Sequence, residues 1–171
     1  MCITSTHFGT FPFPVHSCQA GWSSPYIFAG NGALGITAAA PLYNSDGSEV
    51  LGAAAADYEL TTIDDLLASN VEGIEDETTI FIVDNNGDMI SSSVPGVVTN
   101  AARTVRVRAT NCTDAVVKAA AVMILDAYAS FSAASKHMIA VDVGGAGLFW
   151  AQSRELNDEY RLRWHVVVVS G

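Results

Sequence analysis

Two runs of period-two alternation joined by a polar turn constrain the fold of this chain more than any other stretch. From Ala33 to Tyr43, Gly35, Thr37 and Ala39 alternate with Leu34, Ile36 and Ala38, which gives a strand one small face and one bulky face. From Glu49 to Tyr58, Leu51, Ala53, Ala55 and Asp57 share a face, so a carboxylate closes a row of small residues. Asn44, Ser45, Asp46 and Gly47 lie between the runs. Asn, Asp and Ser hydrogen-bond their own backbone and Gly accepts positive φ, so the two runs form a hairpin.

A further strand is expected upstream. Alternation from Trp22 to Phe28 places Trp22, Ser24, Tyr26 and Phe28 on one face before Gly30, Asn31 and Gly32 break the chain. Where the faces carrying Trp22, Tyr26, Thr37 and Asp57 coincide, the sheet presents a hollow with an aromatic wall and an anionic floor. Such a hollow holds an amine by ion pairing and cation–π attraction. The competing reading makes Trp22 and Tyr26 core aromatics and Asp57 a tie for a loop.

Downstream, Leu60, Ile63, Leu66 and Leu67 fall on one helical face, with Thr61 and Asp64, or Thr62 and Asp65, spaced as a capping box. TTIFIVD at 78–84, a turn at Asn85–Asp88 and MISSS at 89–93 form a second hairpin. Asp84, Asn86 and Asp88 do not make a calcium loop, because Met89 and Pro95 stand where its glycine and closing glutamate belong. Thr104 to Arg108 alternates Val inward and Arg outward. Val116, Ala120, Met123, Ala127 and Phe131 repeat at helical spacing within 113–135, and three strands over 137–143, 148–155 and 163–169 close the chain.

Composition excludes several functions. The chain has 171 residues, half of them hydrophobic and 15% charged, which suits one or two globular modules. Its formal charge of −10 repels phosphate backbones and anionic membrane surfaces. The longest apolar runs fall far short of the roughly 20 residues that span a bilayer. Residues 1–21 lack the basic start and apolar core of a secretory signal and are expected to form an irregular arm. Cys2, Cys18 and Cys112 are too widely spaced for a metal cluster; one disulfide and buried free thiols both remain compatible. His7, His16, His137 and His165 are scattered and no nucleophile–base pair is legible, so neither catalysis nor a cofactor is expected.

The order strand, hairpin, helix, hairpin, helix and three antiparallel strands resembles the extracellular double Cache sensor modules of chemoreceptors, sensor kinases and related transmembrane receptors. The resemblance is carried by WSSPY at 22–26, ITAAAPLYNSDGSEVLGAAAADYELTTIDDLL at 36–67, FIVDNNGDMISSS at 81–93 and LRWHVVVVSG at 162–171. It implies an α/β fold of the α+β type: PAS-like antiparallel sheets flanked by helices, in two consecutive Cache modules, the first incomplete. The expected division is an arm at 1–21, a membrane-distal-like module at 22–93 and a membrane-proximal-like module at 94–171. In amino-acid-binding members the Tyr of the WSxPY-like strand and the Asp ending the later strand hold the ligand's amino group; by motif position these are Tyr26 and Asp57. Those members also carry an Arg-x-Trp-Tyr element that grips the carboxylate, and residues 1–21 contain no Arg. The family's long N-terminal dimerising helix and flanking membrane helices are likewise not in this sequence, so the chain reads as a fragment or a short form.

The expected function is therefore a ligand-sensing extracellular or periplasmic domain of a signalling receptor. Its partner is a small amine-bearing or amino-acid-like molecule held by Trp22, Tyr26, Thr37 and Asp57. Membrane contact comes only through segments outside this chain, and homodimerisation is compatible with the resemblance. The alternative is an interaction or accessory module without a ligand, which an exposed apolar patch would favour.

Overall fold

This computed structural model describes residues 19–74 and 77–171, so the arm expected over 1–21 lies almost wholly outside the described residues. Two short strands, β1 (Gly21–Trp22) and β2 (Tyr26–Ile27), both pair antiparallel with β3 (Leu34–Tyr43), and β3 pairs on its other edge with β4 (Val50–Glu59). The expected β3–β4 hairpin is present. Asn44 and Asp46 accept hydrogen bonds from the amides of Glu49 and Ser48 (3.2 and 2.9 Å), and Gly47 takes φ +75° to close the turn.

Helix α1 (Thr61–Val71) follows, but without the expected capping box: Leu60 is its N-cap and offers no side-chain cap. Asp64 is used elsewhere. It accepts from the Ser91 hydroxyl at 2.6 Å and the Ser92 amide at 3.1 Å, which fastens α1 to the next hairpin. Burial pushes the Asp64 carboxyl above the usual carboxylate range, against the lowering effect of those two donors.

Strands β5 (Thr78–Asp84) and β6 (Met89–Ser92) form that hairpin, helix α2 spans Ala115–Tyr128, and β7 (Met138–Asp142), β8 (Leu148–Asn157) and β9 (Arg163–Ser170) complete a second sheet in the order β6-β5-β9-β8-β7. The break between sheets thus falls between α1 and β5, ahead of the expected boundary at 93/94. TTIFIVD is apolar on both faces and needs a central place, which it finds between β6 and β9. The register puts Phe81, Val83, Val167 and Val169 on one face, and these are fully buried. Burying each contributes roughly 1.5–3 kcal/mol.

Helix α2 covers that face. Asp114 caps it by accepting from the Val117 amide at 2.9 Å. Its buried stripe is Val117, Ala120, Ala121 and Ile124, whereas Met123 of the expected stripe is partly exposed. Ala residues at the contact let the helix approach the sheet closely. Cys112, ahead of α2, is a buried free thiol.

Arg103 and Arg108 are exposed, as alternation suggests, but Arg106 is not. Val105 is exposed, while the Arg106 side chain, 13% exposed, donates to Asp84 Oδ2 (2.9 Å) and to the carbonyls of Met89 (3.0 Å) and Asp88 (2.8 Å). The β5–β6 turn concentrates acceptors that only a guanidinium fork can serve together.

His165, 1% exposed, sits on β9 opposite Val83, stacks near Phe131 at 6.2 Å, and meets Asn85 Oδ1 at 3.0 Å through Nε2. With that proton on Nε2, Nδ1 is left without a partner among the described residues. Burial lowers the His165 pKa from its ordinary 6.5, outweighing the acids Glu155 and Asp84. Below 6.5 the unfolded chain takes up a proton that the folded one refuses. The resulting stability is fully present above 6.5 and is lost as pH falls through the depressed folded value. Urea denaturation at pH 7 and pH 5.5 is expected to show His165→Gln losing less stability on acidification than the parent, by up to about 1.4 kcal/mol per pH unit. Equal losses would mean that the imidazole does not titrate on unfolding.

Candidate functional site

The four residues singled out from the sequence divide between the two faces of the first sheet. Trp22 opposes Ala38 and Tyr26 opposes Gly35, so three residues separate the aromatics while two separate their partners on β3. That extra residue inverts the alternation. Trp22 therefore lies on the Ile36–Tyr58 side, 5.9 Å edge-to-face from the Tyr58 ring, and its indole nitrogen donates to Asp158 Oδ2 at 2.7 Å. It is not part of the hollow expected from period two.

Tyr26, Thr37 and Asp57 do converge. Thr37 opposes Asp57 across the β3–β4 pair and shares the face of Gly35 and Tyr26. The Thr37 hydroxyl donates to Asp57 Oδ1 at 2.6 Å, and its oxygen takes the Tyr26 hydroxyl at 2.7 Å. A longer Tyr26–Asp57 contact of 3.3 Å closes the triangle. Thr37 is only 9% exposed and is locked further by its backbone, whose N–H donates to Ser23 Oγ (2.9 Å) and whose carbonyl accepts from the Ser23 amide (2.8 Å). Tyr26, at 38% exposed, presents its ring to solvent. Asp57 Oδ2 carries no partner among the described residues.

Phe28 and Glu59 extend this surface. The Phe28 ring stands edge-to-face with Tyr26 at 5.1 Å and lies over Gly35, where a Cβ would come within 2.1 Å of the ring. Glycine is required there by close approach. Glu59 opposes Gly35 on the face of Asp57 and accepts from the Asn31 side chain at 2.7 Å. Two-residue spacing from Asp57 was the signal for Glu59, and it went unread because the row of small residues ended at Asp57. The surface thus combines two ring edges and faces, two carboxylates and a relay of hydroxyls, a set that neutralises and orients a cationic amine.

No family model and no curated protein matches the sequence. Solved structures do match in fold. The ligand-binding domain of the amino acid chemoreceptor PctC of Pseudomonas aeruginosa PAO1, in complex with GABA, aligns at TM-score 0.54 and 16% identity over 89% of this chain and 56% of that one. The ligand-binding domain of chemoreceptor CtaA of Pseudomonas fluorescens, with L-leucine, aligns at 0.54 and 14% over 91% and 54%. The extracellular domain of mmHK1S-Z2, described as a histidine kinase, aligns at 0.55 and 16% over 89% and 50%. The chain spans about half the length of these structures. It has the α+β fold of such sensor domains, in accord with the resemblance to Cache modules.

Thr37 is the hinge of the cluster. Thr37→Val keeps the shape and deletes the hydroxyl, leaving the Tyr26 and Asp57 oxygens without their shared partner, so a loss of about 1–2 kcal/mol in urea denaturation is expected, with Thr37→Ser retaining most of the stability. Equal stability in all three would show that the relay contributes nothing.

Proposed function

We propose that this chain is a ligand-sensing domain of a membrane receptor, and that a small amine-bearing or amino-acid-like molecule sits on the face of Tyr26, Thr37 and Asp57. The observation that carries this reading is the Asp57 carboxylate: one oxygen is fixed by Thr37, the other is free for an ammonium group, and the Tyr26 and Phe28 rings stand beside it. A carboxylate held on one side by a buried hydroxyl is already oriented before ligand arrives. Trp22 has no part in this site. The fold shared with domains solved with GABA and L-leucine supports the same ligand class. The reading carries an extracellular or periplasmic placement, two modules over 22–93 and 94–171, and compatibility with homodimeric assembly. It assigns no catalytic residue.

A second reading, an interaction module, draws on a different surface. By register, Met138, Leu148, Trp150 and Val168 share the outer face of the second sheet, and all four are exposed. Apolar exposure of this kind suits a protein partner.

A thermal-shift screen of amines and amino acids separates the readings. At a hundredfold excess over Kd a ligand adds about 2.7 kcal/mol of stability, several degrees in melting temperature. Asp57→Asn is expected to keep the fold and weaken binding at least about tenfold, the scale of a lost charge-assisted hydrogen bond. A flat response across the library would remove ligand sensing from consideration and leave the interaction reading.

A further inference from the structure

A second polar cleft lies between the two sheets, away from Asp57. Its volume is about 160 Å³, room for a small molecule and well below the range that holds drug-sized ligands. Trp22 and the β1–β2 link at Ser24 and Pro25 line it from the first sheet, and Asn85 and Arg161 from turns of the second, with Arg163 and Trp164 at the start of β9.

The hydrogen-bond inventory of this cleft is lopsided. Asp84, which borders it, is saturated: Oδ2 is paired with Arg106 at 2.9 Å, and Oδ1 accepts from the amides of Asn86 (2.8 Å) and Asp88 (3.1 Å). Asp158, beside it, is saturated by Trp22 Nε1 (2.7 Å) and the amides of Tyr160 (2.9 Å) and Leu162 (2.8 Å). The two carboxylates are thus engaged. The donors are not: among the described residues neither the Arg161 nor the Arg163 guanidinium has a hydrogen-bond or ion-pair partner, and the Ser24 hydroxyl is equally free. Asn85 gives its oxygen to buried His165, which leaves its NH2 group as a fixed donor. Arg106 neutralises Asp84 while Asp158 keeps its charge, so Arg161 and Arg163 together outweigh the one remaining carboxylate beside the cleft, Asp158.

From this geometry we infer that the cleft binds a small organic carboxylate, with the Arg161 and Arg163 forks and the Asn85 amide on the anionic oxygens and the Trp22 ring against the carbon skeleton. Guanidinium forks match a planar carboxylate in two parallel hydrogen bonds. The Trp22 ring has nothing to contact on an inorganic anion. The site is independent of the amine reading, since it shares no residue with Tyr26, Thr37 and Asp57. It also joins the sheets, because its lining comes from both, so an occupant would hold Trp22 against the second sheet.

Titration calorimetry with succinate, malate and acetate tests the inference on the intact chain. At least one of the three is expected to bind saturably, with the double variant Arg161→Gln, Arg163→Gln weakened at least about tenfold and Lys118→Gln, which removes an exposed charge on α2, unchanged. No saturable binding by any of the three would overturn the inference. So would unaltered affinity in the double variant, an equal loss in Lys118→Gln, which would mark general charge attraction, or tighter binding of inorganic phosphate than of every carboxylate.

Discussion

One extra residue between Trp22 and Tyr26 decides how the surface of this molecule is divided. Without it both aromatics would stand on one face of β3, and the sheet would have a single aromatic hollow. With it, Tyr26 turns to Thr37 and Asp57, while Trp22 turns to Tyr58 and reaches Asp158 on the second sheet. Ser23 and Pro25 accommodate the slip. The Ser23 hydroxyl takes the Thr37 amide in place of a backbone carbonyl, and Pro25 has no amide to leave unsatisfied. Both proposed sites depend on this slip, since it separates the Asp57 face from the cleft at Arg161 and Arg163.

The same segment fastens the sheets together. Arg106 reaches the Pro25 carbonyl at 3.5 Å while it neutralises Asp84 and bonds the carbonyls of Met89 and Asp88. Two lines of hydrogen bonds, joined by the backbone of residues 23–25, therefore run from Asp57 through Thr37 to Ser23 and from Pro25 through Arg106 to Asp84 and the β5–β6 turn. Breaking the Arg106–Asp84 pair would strand a buried charge at a cost of several kcal/mol, which holds the Arg106 side chain within reach of Pro25. A ligand that displaced Thr37 or Asp57 would act on a strand whose neighbour is tied to the second sheet. Binding shifts a conformational equilibrium only through such differential contacts.

Local patterns were legible in the chain and long-range ones were not. The β3–β4 and β5–β6 hairpins follow from alternation and turn chemistry, the last three strands lie within two or three residues of their expected bounds, and Tyr26, Thr37 and Asp57 meet as alternation implies. Trp22 was misplaced because period two presumes an unbroken register, and a slip of one residue inverts every side chain beyond it. Arg106 was turned outward for a related reason: alternation along 104–108 reports two faces but not which one meets Asp84. Asp64 stood where a capping residue stands, yet a buried hydroxyl on a distant strand claimed it. The division of strands between sheets is a pairing of residues far apart in sequence, for which the apolar character of TTIFIVD on both faces was the only local clue.

An amine held at Asp57, as proposed, would perturb the first sheet and not the second. Amide chemical shifts of the isotopically labelled chain, followed during titration with the best ligand from an amine and amino-acid panel, locate it directly. The largest changes are expected on Thr37 and Asp57 and their neighbours Ala38 and Tyr58, with little change on the outer face of β7, β8 and β9. Changes centred on Met138, Trp150 and Val168, with Thr37 and Asp57 unmoved, would contradict the proposal.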